Sequence, residues 1–281
     1  MGTNILDVST TLVPIDTGRK SPYMLQISTH DVPMQGLSEY WRGRTVVHLT
    51  DIHAGFGNTG RVFEEAIQRV NALEPDLILL TGDYLDDHPD DADFPLKDLL
   101  LRLHATSGIF GSFGNHDHRR GIVGSRRLLD QSHVHRLENE NIALPHGLFL
   151  AGIDDLGEGF PDIPRTLAGL PTDRTSIILS HHPGLIERLP DREVFILSGH
   201  THGGQIALPF PSPRLVIKVH LGCNQVAGWY RNGKAREYVS RGLGVTGKPF
   251  RYRCPAEIGV FRLLDADGAK AGTLPEGVSA G

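Results

Sequence analysis

Five short apolar runs each break off into residues that can bind metal ions, and this pattern restricts the chain to a small set of folds. Thr45–Leu49 leads into Asp51 and His53, Leu77–Leu80 into Gly82 and Asp83, and Ile109–Phe113 into Gly114, Asn115, His116 and Asp117. Farther on, Ile177–Leu179 leads into His181 and His182, and Val194–Leu197 into His200 and His202. Short apolar runs bounded by turn residues read as buried strands. Arg61–Leu73 instead has helical spacing, with Val62, Phe63, Ala66, Ile67, Val70 and Leu73 on one side, and Leu96–Leu103 resumes that period. Strands alternating with helices predict an α/β layered fold. Strands ending at one sheet edge would gather the five clusters into one pocket.

The rest of the chain is less regular. A basic helix is expected around Arg126–Glu138, a strand near Leu148–Gly152, and a solvated acidic loop over Asp86–Asp93. After Gly203-Gly204-Gln205 the prolines Pro209, Pro211 and Pro213 interrupt the chain. Two β-like stretches follow, Arg214–Val219 and Glu237–Ser240, and Ile258–Leu264 reads as an edge strand that closes the domain. The tail from Asp265, rich in Gly and Ala, reads as loosely ordered. With no repeat and no low-complexity linker, residues 1–281 read as one domain, its core running from about residue 40 to 264, with 1–20 and 265–281 peripheral.

A net charge of −5 argues against a dedicated nucleic-acid binder, which would carry a basic surface. Cys223 and Cys254 have no metal-ribbon spacing and read as two ordinary thiols. Nothing approaches the roughly 18 apolar residues of a membrane span, and the N-terminal stretch lacks the pattern of a signal peptide. A cytoplasmic protein is the expectation; peripheral membrane association is possible, but no amphipathic basic helix stands out.

Imidazole mixed with carboxylate suits borderline transition metals better than calcium or magnesium. A site holding two ions about 3.5–4 Å apart needs a carboxylate that reaches both, with neutral N and O donors around them. Alternate residues of a strand face the same way, so Asp51 with His53, and His200 with His202, can each reach one ion. Gly82 and Gly114 would let the backbone turn sharply off its strand. Arg119 and Arg120 follow the Asn-His-Asp cluster, where an arginine could clamp a phosphate bidentately or simply face solvent. His88 and His118 are weaker substrate-contact candidates; His133 and His135 read as surface residues.

The ordered blocks Asp-x-His, Gly-Asp, Gly-Asn-His-Asp, His and Gly-His-x-His resemble the signature of the calcineurin-like metallophosphoesterase superfamily, covering roughly Thr45 to His202. Later blocks, Tyr238–Gly244 and Cys254-Pro255, are similar to a bacterial, often membrane-associated phosphodiesterase branch that includes UDP-diacylglucosamine pyrophosphohydrolases. The resemblance implies a four-layer α/β/β/α sandwich of two mixed sheets flanked by helices. It implies one ion on Asp51, His53, Asp83 and His202, and a second on Asp83, Asn115, His181 and His200, with Asp83 the bridge and His182 the alternative to His181. Manganese, iron and zinc all suit these donors. It further implies phosphodiester or pyrophosphate hydrolysis by a hydroxide between the ions, with His116 the leaving-group acid and Asp117 holding its ring. Phosphomonoester or cyclic-nucleotide hydrolysis is the alternative on the same site. A non-catalytic scaffold would ordinarily have lost ligands, and none is missing. Residues 205–250 correspond to the variable substrate wall; Tyr230 and Arg241 are its candidate contacts, with packing the competing reading for the aromatics. The implied partner is a small or lipid-linked phosphate ester rather than a nucleic acid.

Overall fold

Alternation along the strands explains how one apolar run serves two cores. The computed structural model describes residues 6–15, 23–57, 59–87 and 94–266. The first sheet uses β1 (Leu6–Ile15), β2 (Tyr23–Met34), β3 (Thr45–Leu49), β4 (Leu77–Thr81), β5 (Ile109–Ser112) and β6 (His135–Arg136). The second uses β7 (Glu140–Ala143), β8 (Phe149–Gly152), β9 (Ser176–Leu179), β10 (Val194–Ser198), β11 (Gly228–Asn232) and β12 (Ala235–Val239), and β13 (Ala256–Asp265) then returns to the first. The orders are β1-β2-β13-β3-β4-β5-β6 and β11-β12-β10-β9-β8-β7. Both sheets are mixed: β13 runs parallel to β2 but antiparallel to β3, and β11 runs antiparallel to β12 whereas β12, β10, β9 and β8 are parallel.

Val46, Leu77 and Leu79 of the first sheet meet Ile177, Leu179, Phe195 and Leu197 of the second in a core between the sheets. Their neighbours Val47, Leu49, Ile78 and Leu80 point the other way, onto Val62, Phe63, Ala66 and Ile67 of helix α1 (Thr59–Ala72). On the far side, Ile178 and Ile196 pack with Leu185 and Ile186. Side chains of a strand alternate between faces, so three cores between four layers require strands that are apolar at nearly every position. The four-layer sandwich is the result, and the parallel strands of each sheet carry the polar clusters at their C-terminal ends. Helices α2 (Leu96–Leu100), α3 (Asn115–Arg119), α4 (Ile122–Gln131), α5 (Ile163–Leu167) and α6 (Pro213–Leu221) complete the regular structure.

Several local expectations fail. The stretch Ile258–Leu264 is not an edge strand: β13 inserts between β2 and β3, and Ala256 through Phe261 are all buried. The strands that flank it on one side, β1 and β2, precede residue 40. Arg214–Val219 is helical rather than β-like, because Ser212 caps a turn begun by Pro213 and Gly222 ends it at φ 66°. The helix expected over Arg126–Glu138 stops at Gln131, and His135 and Arg136 pair with β5. The tail beyond Ala266 lies outside the described residues, as do His88 and the acidic positions 90, 91 and 93.

Candidate metal centre

The loops leaving β3, β4, β5, β9 and β10 bring eight of the nine residues expected at the centre around one point. Backbone hydrogen bonds extend the β3–β4 pairing past its strand ends: Asp51 N donates to Gly82 O (3.1 Å) and His53 N to Asp83 O (3.0 Å). Asp51, His53, Asp83, His200 and His202 all adopt left-handed backbone, with φ between 46° and 69°. Such φ values in non-glycine residues cost on the order of 1 kcal/mol or more each and cluster at functional sites. Gly114 is needed for a different reason. A Cβ there would collide with Asp83 Oδ1 and the His181 ring.

Hydrogen bonds fix which imidazole nitrogen faces the centre. His53 Nδ1 lies 3.1 Å from Asp86 Oδ2 and His181 Nδ1 lies 2.7 Å from Thr81 O. Both partners only accept, so each Nδ1 carries a proton and donates it, and each Nε2 presents a lone pair inward. His53 Nε2 stands 3.1 Å from His202 Nε2, and His181 Nε2 stands 3.2 Å from Asn115 Oδ1. Asp83 Oδ2 joins both groups, 3.5 Å from His53 Nε2 and 3.1 Å from His181 Nε2. Asp51 Oδ1 is 3.3 Å from His202 Nε2. Electron pairs converging in a buried space repel one another unless a cation or a proton lies between them. The donor set therefore fits metal binding, with Asp51, His53 and His202 forming one close group and Asp51, Asp83 and His181 another.

The electrostatics agree. Burial opposes the charge on Asp51, but His202 and then His181 hold its carboxyl well below the usual range. Burial likewise opposes Asp83, and His181 and His53 outweigh it. Burial disfavours the imidazolium of His181, yet Asp83 and then Asp51 raise it to about 10. His202 is lowered to about 4, chiefly by burial. The site thus attracts positive charge where the Asp83 carboxylate lies.

His181 and His182 part ways in this arrangement. His182 Nδ1 is bound by Asp155 Oδ1 in a very short contact, and its ring lies 3.6 Å from the ring of His200, centroid to centroid. His182 nevertheless has a ring nitrogen in reach of both His181 and His200.

Asp117 does not hold the His116 ring. Its carboxylate accepts instead from the backbone N–H of Asp83 (2.8 Å), Gly114 (2.9 Å) and Tyr84 (3.3 Å) and from Ser125 Oγ (3.2 Å). The side chain ties the β4 and β5 loops together. The carboxylate beside His116 is Asp87, whose Oδ1 lies 3.0 Å from His116 Nδ1 at an angle that makes no hydrogen bond. The ring itself stands edge-on to His53, and burial lowers its pKa.

The four expected substrate contacts all have partners within the chain. Arg119 pairs with Glu158 (2.6 Å) and Asp87 (3.5 Å), and Arg120 donates to Asp86 O (2.8 Å). Arg241 pairs with buried Glu257 (2.9 Å), although its Nε finds no acceptor among the described residues. Tyr230 spends its hydroxyl on Val226 N (2.9 Å), and Trp229 packs on the core between the sheets. His118 is paired with Asp154 (2.7 Å). Cys223 and Cys254 are buried free thiols.

Sequence reasoning missed Asp86, Asp155 and Arg251. Asp86 looked like part of a solvated acidic run, but it is buried. Arg251 lies 49 positions beyond His202 and gives no local signal. Its guanidinium donates to the carbonyls of His202 (3.1 Å), Arg241 (2.6 Å), Gly242 (3.1 Å) and Gly244 (2.6 Å), which fastens the loop behind His202.

Residues 44–204 match the sequence family described as calcineurin-like phosphoesterase. The chain belongs to this family. It is 34% identical over 250 residues to an uncharacterised metallophosphoesterase of Bacillus subtilis, covering 86% of each chain. A metallophosphoesterase of Campylobacter jejuni is 33% identical over 92% of this chain and 68% of its own length. A bovine transmembrane protein with a metallophosphoesterase domain is 32% identical over 83% of this chain, which spans only 55% of that protein. Among solved structures, a 5′-nucleotidase precursor from Thermus thermophilus overlaps 81% of this chain and 57% of its own at 16% identity and a TM-score of 0.47. As a calcineurin-like phosphoesterase the protein is a metal-dependent phosphoric ester hydrolase with His and Asp groups suited to metal ions. No helix among the described residues is long and apolar enough to cross a membrane.

Proposed function

We propose that the protein hydrolyses phosphodiester or pyrophosphate bonds using two transition-metal ions that share Asp83. The observation that carries this reading is the position of Asp83 Oδ2 between His53 Nε2 (3.5 Å) and His181 Nε2 (3.1 Å). One ion would be held by Asp51, His53, Asp83 and His202, the other by Asp83, Asn115, His181 and His200. Bound there, manganese, iron or zinc would supply Lewis-acid stabilisation of phosphoryl oxygens and a water acidic enough to attack near neutral pH. The chain's own residues do the rest. Asp86 and the Thr81 carbonyl keep two imidazoles in the binding tautomer. In this reading His116, edge-on to His53, acts as the acid rather than as a ligand, and Asp87 next to its Nδ1 favours the imidazolium that protonates a leaving oxygen. A proton donor matters most for a poor leaving group, which is why diesters and pyrophosphates are favoured over activated monoesters. His181 rather than His182 is the ligand in this reading, because its Nε2 lies 3.1 Å from Oδ2 of the shared Asp83.

The test is metal content after manganese loading, combined with hydrolysis of bis-p-nitrophenyl phosphate and a matched monoester. Wild type should hold two ions and Asp83→Ala almost none, while His202→Ala and His200→Ala should each keep one. An Asp83→Ala protein that still holds both ions would refute the shared carboxylate.

A further inference from the structure

Charge is distributed very unevenly along this acidic chain. Of 28 Lys and Arg and 33 Asp and Glu in the whole sequence, residues 194–256 contain nine of the bases and a single acid, Glu237. Glu237 is buried, so the surface of this segment carries no carboxylate. Within it, α6 buries only Ile217, although Leu215, Val216, Val219 and Leu221 are also apolar. Val219 is 70% exposed and Phe210, just before the helix, 85%. Leu208, Leu215, Phe250 and Tyr252 are exposed as well. Arg214, Lys218, Lys248 and Arg253 alternate with these residues in sequence, and none has a carboxylate partner among the described residues.

The loop that leads into α6 and the loop that carries Lys248, Phe250, Tyr252 and Arg253 are joined into one lip. Gln205 joins them: its Nε2 donates to Thr246 O (3.1 Å) and Lys248 O (2.9 Å), and its Oε1 accepts from Thr246 N (3.0 Å). Ala207 N donates to Tyr252 O (2.9 Å) and Tyr252 N to Gln205 O (3.0 Å). Gln205 stands three residues after His202, so the lip begins at the edge of the metal centre.

We propose that this lip docks on an anionic lipid bilayer, with Phe210, Leu215 and Val219 entering the headgroup region and Arg214, Lys218, Lys248 and Arg253 meeting lipid phosphates. Exposed aliphatic and aromatic side chains rimmed by bases that have no carboxylate partner among the described residues match such a surface in both chemistry and charge. A nucleic acid would match the bases but give the aliphatic side chains no partner. Docking would bring the metal centre to the bilayer surface. It rests on the lip alone, and lipid binding is measured without turnover, so the hydrolysis proposed above stands or falls separately.

The experiment is sedimentation of the full chain with vesicles of equimolar phosphatidylcholine and phosphatidylglycerol, and with pure phosphatidylcholine vesicles. The protein should bind the anionic vesicles and lose binding as salt rises. The double variant Arg214→Gln, Lys218→Gln should lower partitioning about thirtyfold, taking roughly fivefold for each base at an anionic surface. The triple variant Phe210→Ser, Leu215→Ser, Val219→Ser should lower it about tenfold or more. Unchanged thermal unfolding and metal content would show that both variants fold. Absence of wild-type binding, equal binding to neutral vesicles, or binding unaltered in both variants overturns the proposal. So does a concentration-dependent dimer that the triple variant abolishes in the absence of any lipid binding, which would assign the face to a second copy of the chain.

Discussion

Replacing Asp86 tests whether the tautomer argument is right, because its carboxylate faces His53 Nδ1. Its Oδ2 lies 3.1 Å from His53 Nδ1, and both side chains are buried. In Asp86→Ala the Nδ1–H of His53 loses its acceptor and no water-exposed orientation is available to it. The ring is then free to tip or to adopt the other tautomer, whose Nε2–H cannot bind a cation. Loss of the partner that orients a metal-binding imidazole costs about 10–100-fold in affinity, or roughly 1.4–2.7 kcal/mol. Only the ion on the His53 side should weaken, because His181 is oriented separately by Thr81 O at 2.7 Å. Asp86→Asn provides the control. Its amide oxygen can still accept from Nδ1, so it should recover most of the affinity even though the charge is gone. Arg120 bonds the main-chain oxygen of residue 86 and is undisturbed in either variant. Manganese titration against a competing chelator reads the two affinities. If Asp86→Ala binds both ions as tightly as wild type, His53 needs no orienting partner and the reasoning fails.

Three further outcomes follow from the same geometry. His116→Ala should keep its metal ions and hydrolyse bis-p-nitrophenyl phosphate far better than an alkyl diester. Equal losses on the two substrates, measured as kcat/KM, would remove His116 from the role of acid. Gly114→Ala drives a Cβ into Asp83 Oδ1 and the His181 ring, so manganese affinity should collapse and unfolding of the metal-free protein should come about 1–3 kcal/mol easier in urea. Burial raises the Glu237 carboxyl to about 7 despite bonds from Ser198 and Gly184. The folded state therefore keeps a proton that the unfolded chain releases above about 4.5. Stability should fall between about pH 4.5 and 7, by up to roughly 3 kcal/mol from this group, and Glu237→Gln should flatten that slope in urea titrations; a slope unchanged by the substitution would show that Glu237 is already ionised.

The parts of this molecule that were legible in the sequence are those with local causes. β3, β4, β5, β9 and β10 are short, apolar and ended by polar residues, so both their positions and the gathering of Asp51, Asp83 and His181 could be read in advance. The errors share a different cause. Asp86 is polar and stands beside Asp87, which locally signals solvent; only the fold reveals that His53 Nδ1 faces it. Asp117 follows His116 in sequence, yet a helix start at Asn115 points successive side chains in different directions, and Asp117 serves the backbone of the neighbouring loop. β13 looked terminal because it comes last, but strand order is set by crossovers that leave no local mark. The apolar residues of α6 suggested β-structure through Val216, Ile217 and Val219, whereas the Ser212-Pro213 start and the Gly222 stop decide for a helix.

The left-handed backbone at Asp51, His53, Asp83, His200 and His202 links the chemistry of the centre to the stability of the sandwich. Each of these residues ends or follows a strand whose side chains fill two cores, so relaxing its φ would pull that strand out of register. The cores therefore over-determine the conformation, and the strain is held whether or not a cation is present. Converging lone pairs and the clustered carboxylates Asp51 and Asp83 add electrostatic strain of the same sense. A cation relieves the second kind of strain but not the first. It follows that cations select an arrangement the fold has already built. Part of their binding energy offsets repulsion that burial imposed, and the remainder adds to folding stability through linkage. The affinity of the centre is then set as much by Thr81, Asp86, Gly114 and Asp117, which hold loops and rings in place, as by the residues that would touch the metal.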